Sequence, residues 1–230
     1  MSVKPKDASR LVEAKGLVQE FKDRLPSKVE ANKLGCRSKL PFKAISLREA
    51  LLYRVTELGE VSCRLYEDNM MASAFTLTRS VLETSAMLHW LQKKMEETVT
   101  SQKVGEELDT LLMRALLGRK DRPVYLEPIN VQTYVEHLDK KFKDAGIKDS
   151  YSQLSEYAHP NWFGAMSLYA KLDKQTMCLN LGWPEAGVRV GELLPLLCAA
   201  LLVFKYRSGP VKFNTPISGG SATVNGPAGR

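Results

Sequence analysis

The chain has 230 residues, 44% of them hydrophobic and 26% charged, with only 15 Gly and 11 Pro. Those proportions exclude a collagen-like or wholly disordered polypeptide and fit one large domain with short appendages. The net charge of +7 is concentrated: residues 1–43 hold 11 Lys/Arg against 5 Asp/Glu, a net of +6, which leaves +1 for the other 187.

In chain order, Leu11, Ala14, Val18, Phe21 and Leu25 recur at spacings of three and four and predict an amphipathic helix from Asp7 to Leu25, stopped by Pro26. A basic connector punctuated by Gly35 and Pro41 follows over 26–44, and these first 45 residues form an expected N-terminal unit. A basic arm of this kind suits phosphates as well as solvent. Ser46-Leu-Arg-Glu49 has the capping-box spacing, so a long helix is expected from Ser46 to about Asn69. A second long helix, from about Met70 to Glu97, pairs with it antiparallel across a short connection. Shorter helices are expected over 104–117, closed by Gly118, and over 130–144, with the loop RKDRPVYLEP between them.

Ser150-Tyr-Ser-Gln153 repeats the cap signature and opens a short helix that stops at His159, because a residue preceding proline avoids the helical region. Pro160 then opens a further helix through Ala170. Residues 174–182 read as a short strand, and a last helix runs from about Glu185 to Arg207 with Pro195 inside it. The tail 208–230, rich in Gly, Ser, Thr, Asn and Pro, is expected to be mobile. The fold class is therefore all-α: a bundle of about seven helices over 46–207 around a long antiparallel central pair.

The longest apolar run, Leu193–Phe204, has twelve residues, too few to span a bilayer, and the N-terminus lacks the apolar stretch of a leader. The four cysteines form no C-x-x-C pair. No membrane association and a cytoplasmic setting with reduced thiols are expected. The commonest signatures of nucleotide triphosphatases, zinc proteases and esterases are also missing from the sequence.

Charges fall where a core belongs. Projected at 100° per residue, Leu47, Leu51, Leu58, Val61 and Leu65 form a stripe that also contains Arg54. The next helix carries only Arg79 and Glu83 as formal charges between Met70 and Gln92, at i, i+4 on a face with Phe75 and Leu82. Groups so placed must be charge-paired. They form either a structural ion pair, with Arg54 in the same network, or a polar cleft in which arginines meet an anionic ligand. His159 stands at a helix break with Glu156 three residues back, whereas His89 and His137 read as structural or exposed. Glu156-x-x-His159 also has the spacing of a carboxylate-bridged dimetal motif, but that architecture needs a second copy, which the sequence lacks.

The segments LPFKAISLREALLYRVTEL, LTRSVLETSAMLHWL and YSQLSEYAHPNWFG, above all LSEYAHPN together with RSVLE, resemble a bacterial all-α family similar to the HEPN superfamily and to the abortive-infection protein AbiV. The resemblance spans roughly residues 40–205. It implies a helical bundle, a homodimer, and a defence or toxin-type protein that binds RNA or cleaves it without metal or cofactor. Arg79 and His159 would then carry catalysis, with Glu83, Arg54 and Glu156 in support. His159 would exchange the proton of an attacking 2′-hydroxyl, Arg79 and Arg54 would stabilise the phosphorane, and Glu83 would orient Arg79. The chain departs from the active HEPN pattern, since no Arg is followed after four to six residues by His. The alternatives are a non-catalytic helical interaction module with a structural Arg-Glu-His network, and a metal-binding carboxylate/His bundle.

Overall fold

The computed structural model describes residues 5–34, 39–101, 106–119, 121, 126–184 and 190–208. Cys36, most of the loop 119–125, the start expected for the last helix and the tail beyond Ser208 lie outside the described residues. The described chain is an all-α bundle: α1 (Pro5–Lys22), α2 (Leu40–Glu67), α3 (Met71–Ser101), α4 (Glu106–Leu117), α5 (Val131–Lys141), α6 (Ile147–Ala158), a three-residue α7 (Ser167–Tyr169) and α8 (Val190–Arg207). A hairpin of β1 (Ala170–Asp173) and β2 (Cys178–Leu181) is the one sheet among the described residues. No described helix is long and apolar enough to cross a membrane.

The central pair is α2 and α3, and the connection between them explains itself locally. Asn69 adopts φ 57°, which a short amide side chain tolerates better than most. Met70 N–H donates to the Leu65 carbonyl (2.9 Å) and Asn69 N–H to that of Tyr66 (3.4 Å), closing α2 in the Schellman pattern. Across the pair, the Tyr66 hydroxyl meets Thr78 Oγ1 at 3.0 Å.

Three helix starts differ from the sequence expectation. The helix over α2 begins at Leu40, with Pro41 in its first turn, so the Ser46–Glu49 capping box and the expected boundary at 45/46 both fall inside a continuous helix. Proline there loses no helical hydrogen bond and presets φ; Glu49 instead pairs with its neighbour Arg48. Likewise α6 begins at Ile147, not Ser150, after a left-handed Gly146, and the Asp139 carboxylate accepts from the free Lys148 N–H at 3.1 Å. The helix expected from Pro160 to Ala170 is instead a π-helical turn (Trp162–Met166) running into α7, after which Ala170 opens β1. The strand expected over 174–182 is real over Cys178–Leu181, and Ala170–Asp173 supplies its partner. The expectation for α5 holds closely: Asn130 caps it by accepting from Gln132 N–H at 3.0 Å.

The buried face of α2 also differs from the projected stripe. Leu47 and Leu51 are buried, but farther along the core side is Val55, Gly59, Ser62, Cys63 and Tyr66, while Leu58 and Leu65 are half-buried and Val61 is 37% exposed. Close approach decides this. A Cβ on Gly59 would lie 2.9 Å from Val18 Cγ2 and 3.2 Å from Leu201 Cδ2, so α1 and α8 cross α2 where it is thinnest. Periodicity counts apolar atoms, whereas an interior helix crossing selects small ones.

α1 therefore belongs to the bundle. Leu11, Ala14, Leu17, Val18 and Phe21 are buried, Phe21 meets Phe204 edge-on at 5.4 Å, and its charges are spent on neighbours: Lys15 on Glu67, Lys22 on Glu60 (2.7 Å), and Lys205 of α8 on Glu20 (2.7 Å). α3 is the axle of the molecule, packing against α2, α8, α5 and α6.

Candidate functional site

Tyr151 projects from α6 onto the face of α3 that carries Arg79 and Glu83. Arg79 Nη2 donates to the Tyr151 hydroxyl at 3.0 Å, and that hydroxyl donates to Glu83 Oε1 at 2.9 Å. The Arg79 Nε lies 3.1 Å from the same Oε1, an ion-pair contact whose angle is too bent for a hydrogen bond. The guanidinium carbon stands 5.1 Å over the Tyr151 ring. The three groups close on one another, so the expected pairing of Arg79 with Glu83 is present and Tyr151 is the member the sequence reading missed. Its only sequence signal was its place in SYSQ, read there as a cap.

The cluster sits at the rim of the core, not inside it: the side chains of Arg79 and Glu83 are 28% and 21% exposed. Partial burial pulls the Arg79 pKa down, but the Tyr151 hydrogen bond and the Glu83 charge outweigh it and leave it above its ordinary value. Burial also raises the Tyr151 phenol, against the pull of Arg79. The cluster pins α6 to α3.

Arg54 stands elsewhere. Its Nε donates to Thr84 Oγ1 at 3.2 Å, and Thr84 in turn donates to the Ser80 carbonyl, so Arg54 bridges α2 to α3 and, among the described residues, makes no hydrogen bond or ion pair with the Arg79 group. His159 also stands apart. It follows Tyr151 by eight residues, about 12 Å of helical rise. Because Tyr157 packs on Phe75 at 4.8 Å, α6 runs antiparallel to α3 and carries His159 toward the start of α3. Its side chain is exposed and makes no hydrogen bond or ion pair among the described residues.

The break at His159 and Pro160 is held by its neighbours. Glu156 Oε2 accepts from Asn161 Nδ2 at 2.6 Å, and Asn161 Oδ1 accepts from Gly164 N–H at 3.0 Å, capping the π-helical turn. Gly164 is required by close approach, since a Cβ there would lie 1.9 Å from the His159 carbonyl oxygen. Glu156 is thus a loop latch. Among the described residues no three His, Cys, Asp or Glu side chains converge in a metal-ligand set.

Beyond this break the surface changes character. Among the described residues, sixteen large hydrophobic side chains are exposed, and eight of them lie within residues 162–183: Trp162, Phe163, Met166, Leu172, Met177, Leu179, Leu181 and Trp183. Asp173 organises the hairpin loop, its carboxylate accepting from Gln175 N–H (2.9 Å) and the Thr176 hydroxyl (2.7 Å); the latter contact first, then the backbone N–H groups, lower its pKa. A solvent-open cleft of about 410 Å³ lies between the hairpin and the start of α3, walled by Met71, Tyr169, Lys171, Asn180, Trp183 and Pro184. The sequence reading saw a strand here, without its partner strand or its exposed face.

No family model matches the chain, and searches of curated proteins and of solved structures gave no match.

Proposed function

We propose that the chain is a non-catalytic helical interaction module, in which the Arg79–Glu83–Tyr151 cluster fixes the frame and the segment 162–183 meets a protein partner. The observation that carries this reading is the division between the two regions. The arginine that would have to receive a phosphate already faces the Glu83 carboxylate and donates to Tyr151, and the histidine that would supply the proton follows Tyr151 by eight residues, about 12 Å of helical rise. The apolar surface, by contrast, is left open. The basic N-terminus supports the same reading, because Lys15, Lys22 and Lys43 are paired with carboxylates of α2 and α4 and do not form a free cationic arm. In this proposal the module works as a homodimer in the cytoplasm, where the exposed Cys178 stays a free thiol.

The second reading is the metal-independent, HEPN-like ribonuclease of a defence or toxin-type system. One observation favours it: His159 is exposed three residues from Trp162, itself 61% exposed, a pairing suited to stacking single-stranded RNA. A labelled-RNA assay on wild type and His159→Ala, with and without EDTA, separates the two. The module reading expects no cleavage by either protein. Cleavage by wild type that falls about a hundredfold or more in His159→Ala and ignores EDTA would replace it with the ribonuclease; cleavage abolished by EDTA would replace it with the metal reading.

A further inference from the structure

The cleft between the hairpin and the start of α3 is held in shape by contacts from separate parts of the chain. Its floor is core: Met71 and Leu168 are both buried. Gly182 N–H donates to the Tyr169 carbonyl at 3.0 Å, the Asn69 side chain donates to the Pro184 carbonyl, and the Tyr169 and Trp183 rings meet edge-on at 6.0 Å. The space so bounded, about 410 Å³, lies in the range of small-molecule sites. Its walls combine three kinds of chemistry. Trp183 is held by Tyr169 yet 78% exposed, which leaves an indole face open to a flat ring. Lys171 is the single formal charge among the wall residues, and no described carboxylate pairs with it. Asn180 stands directly opposite Lys171 across the hairpin, so the two share a face with their Cβ atoms about 5 Å apart. The Asn180 side chain likewise has no hydrogen-bond partner among the described residues.

We infer that this cleft binds a small aromatic monocarboxylate, its ring on Trp183 over the Met71 and Leu168 floor and its carboxylate between Lys171 Nζ and Asn180 Nδ2. The inference goes beyond the interaction-module reading, since it needs neither a protein partner nor the exposed leucines. Charge complementarity selects the ligand. An ammonium beside a carboxamide offers N–H donors to both oxygens of one carboxylate. A neutral molecule of the same shape forgoes the charge-assisted hydrogen bond, a dianion brings a second charge that no wall residue matches, and a cation opposes Lys171. The ring requirement follows from the indole, whose open face gains most from an offset-stacked or edge-on aromatic partner. Because the cleft is open to solvent and the ligand has only about a dozen non-hydrogen atoms, the dissociation constant is on the order of 0.1 mM.

The test is an amide and indole N–H NMR titration of the full chain with 2-naphthoate, with 2-naphthamide as its neutral counterpart and 2,6-naphthalenedicarboxylate as the dianion. The proteins are wild type, Lys171→Met, Trp183→Leu and, outside the cleft, Trp162→Leu. In wild type, 2-naphthoate is expected to shift the Lys171 and Asn180 amides and the Trp183 indole N–H saturably, and to bind at least about fivefold more tightly than either 2-naphthamide or the dianion. Lys171→Met should weaken 2-naphthoate to the level of 2-naphthamide while leaving 2-naphthamide itself unchanged, which shows that the cleft is intact. Trp183→Leu should weaken both by a similar factor, and Trp162→Leu neither. The inference is overturned by an absence of saturable shifts up to about 5 mM, by equal affinity for the acid and the amide, by an unchanged affinity in Lys171→Met, or by shifts centred on Trp162 instead of the cleft.

Discussion

The Arg79–Glu83–Tyr151 cluster and the 162–183 segment lie at opposite ends of the same helix, α6, and resolve opposite physical problems. At the first end three polar groups, more than two-thirds covered, are paired with one another. At the second, a turn latched by Glu156, Asn161 and Gly164 is followed by apolar side chains that no described residue covers. A paired charge cluster at a helix contact is a stability device, whereas a concentration of exposed apolar groups costs solubility and marks a contact surface. Charge in a core-like sequence context drew attention to α3; the exposed apolar segment begins four residues past the end of the cluster's helix.

The sharpest way to break the second region is Gly164→Ala. With a Cβ 1.9 Å from the His159 carbonyl oxygen, and backbone on both sides of the clash, the turn has to open, at a cost of about 3 kcal/mol. Limited proteolysis within 159–183, together with a lowered urea midpoint, reads it out. The equivalent blow to the first region is Glu83→Ala, which strands the Arg79 guanidinium and the Tyr151 hydroxyl. A fully buried pair would lose more; with a quarter of the Arg79 side chain in contact with water the expected loss is about 2 kcal/mol in a chemical-denaturation series.

His89 sharpens the contrast from within α3, because it is a buried polar group without the closure that Arg79 enjoys. It is 3% exposed, and neither ring nitrogen has a hydrogen-bond partner. Burial first, then the charges of Arg207, Lys141 and Lys93, push its pKa down from 6.5 to about 4. The unfolded chain takes up this proton below pH 6.5 and the folded chain refuses it until about pH 4. Stability is therefore complete above 6.5 and falls through that window, by on the order of 3 kcal/mol. Urea midpoints measured down the window should fall in wild type, and His89→Leu should flatten the slope.

The smallest effect has the opposite sign. Met177 holds φ 54° in the hairpin loop, a left-handed conformation that glycine adopts without penalty. Met177→Gly should stabilise the hairpin by roughly 0.5 kcal/mol, read as slower amide exchange in Leu172 and Leu179.

Much of the frame was legible because local rules decide it. The helix starting near Asn130, the short connection between the two long helices, the break before Pro160 and the pairing of two lone charges on α3 all follow from a few neighbouring residues. Apart from the start of α2, the misreadings share one cause, which is that distant partners override local signals. Ser46 and Glu49 have capping-box spacing, but Pro41 starts the helix sooner. Gly59 and Ser62 look like poor core residues until α1 and α8 are seen crossing there. Tyr151 acquires its role only because α6 lies along α3, and Ala170–Asp173 becomes a strand only because Cys178–Leu181 comes back to pair with it. The expectation that Arg54, Arg79 and His159 share one site fails to appear as contacts for the same reason: helix directions set their places, and those directions are tertiary facts.

The most direct measurement of the central claim is amide hydrogen exchange on the full chain at two protein concentrations, one below and one well above the micromolar range. If the paired cluster is frame and the apolar segment is the contact surface, protection in residues 162–183 should rise at the higher concentration, while α3 and α6 around Arg79, Glu83 and Tyr151 exchange identically at both. Protection that is independent of concentration throughout 162–183, or that changes around Arg79 and Tyr151 instead, would contradict the account.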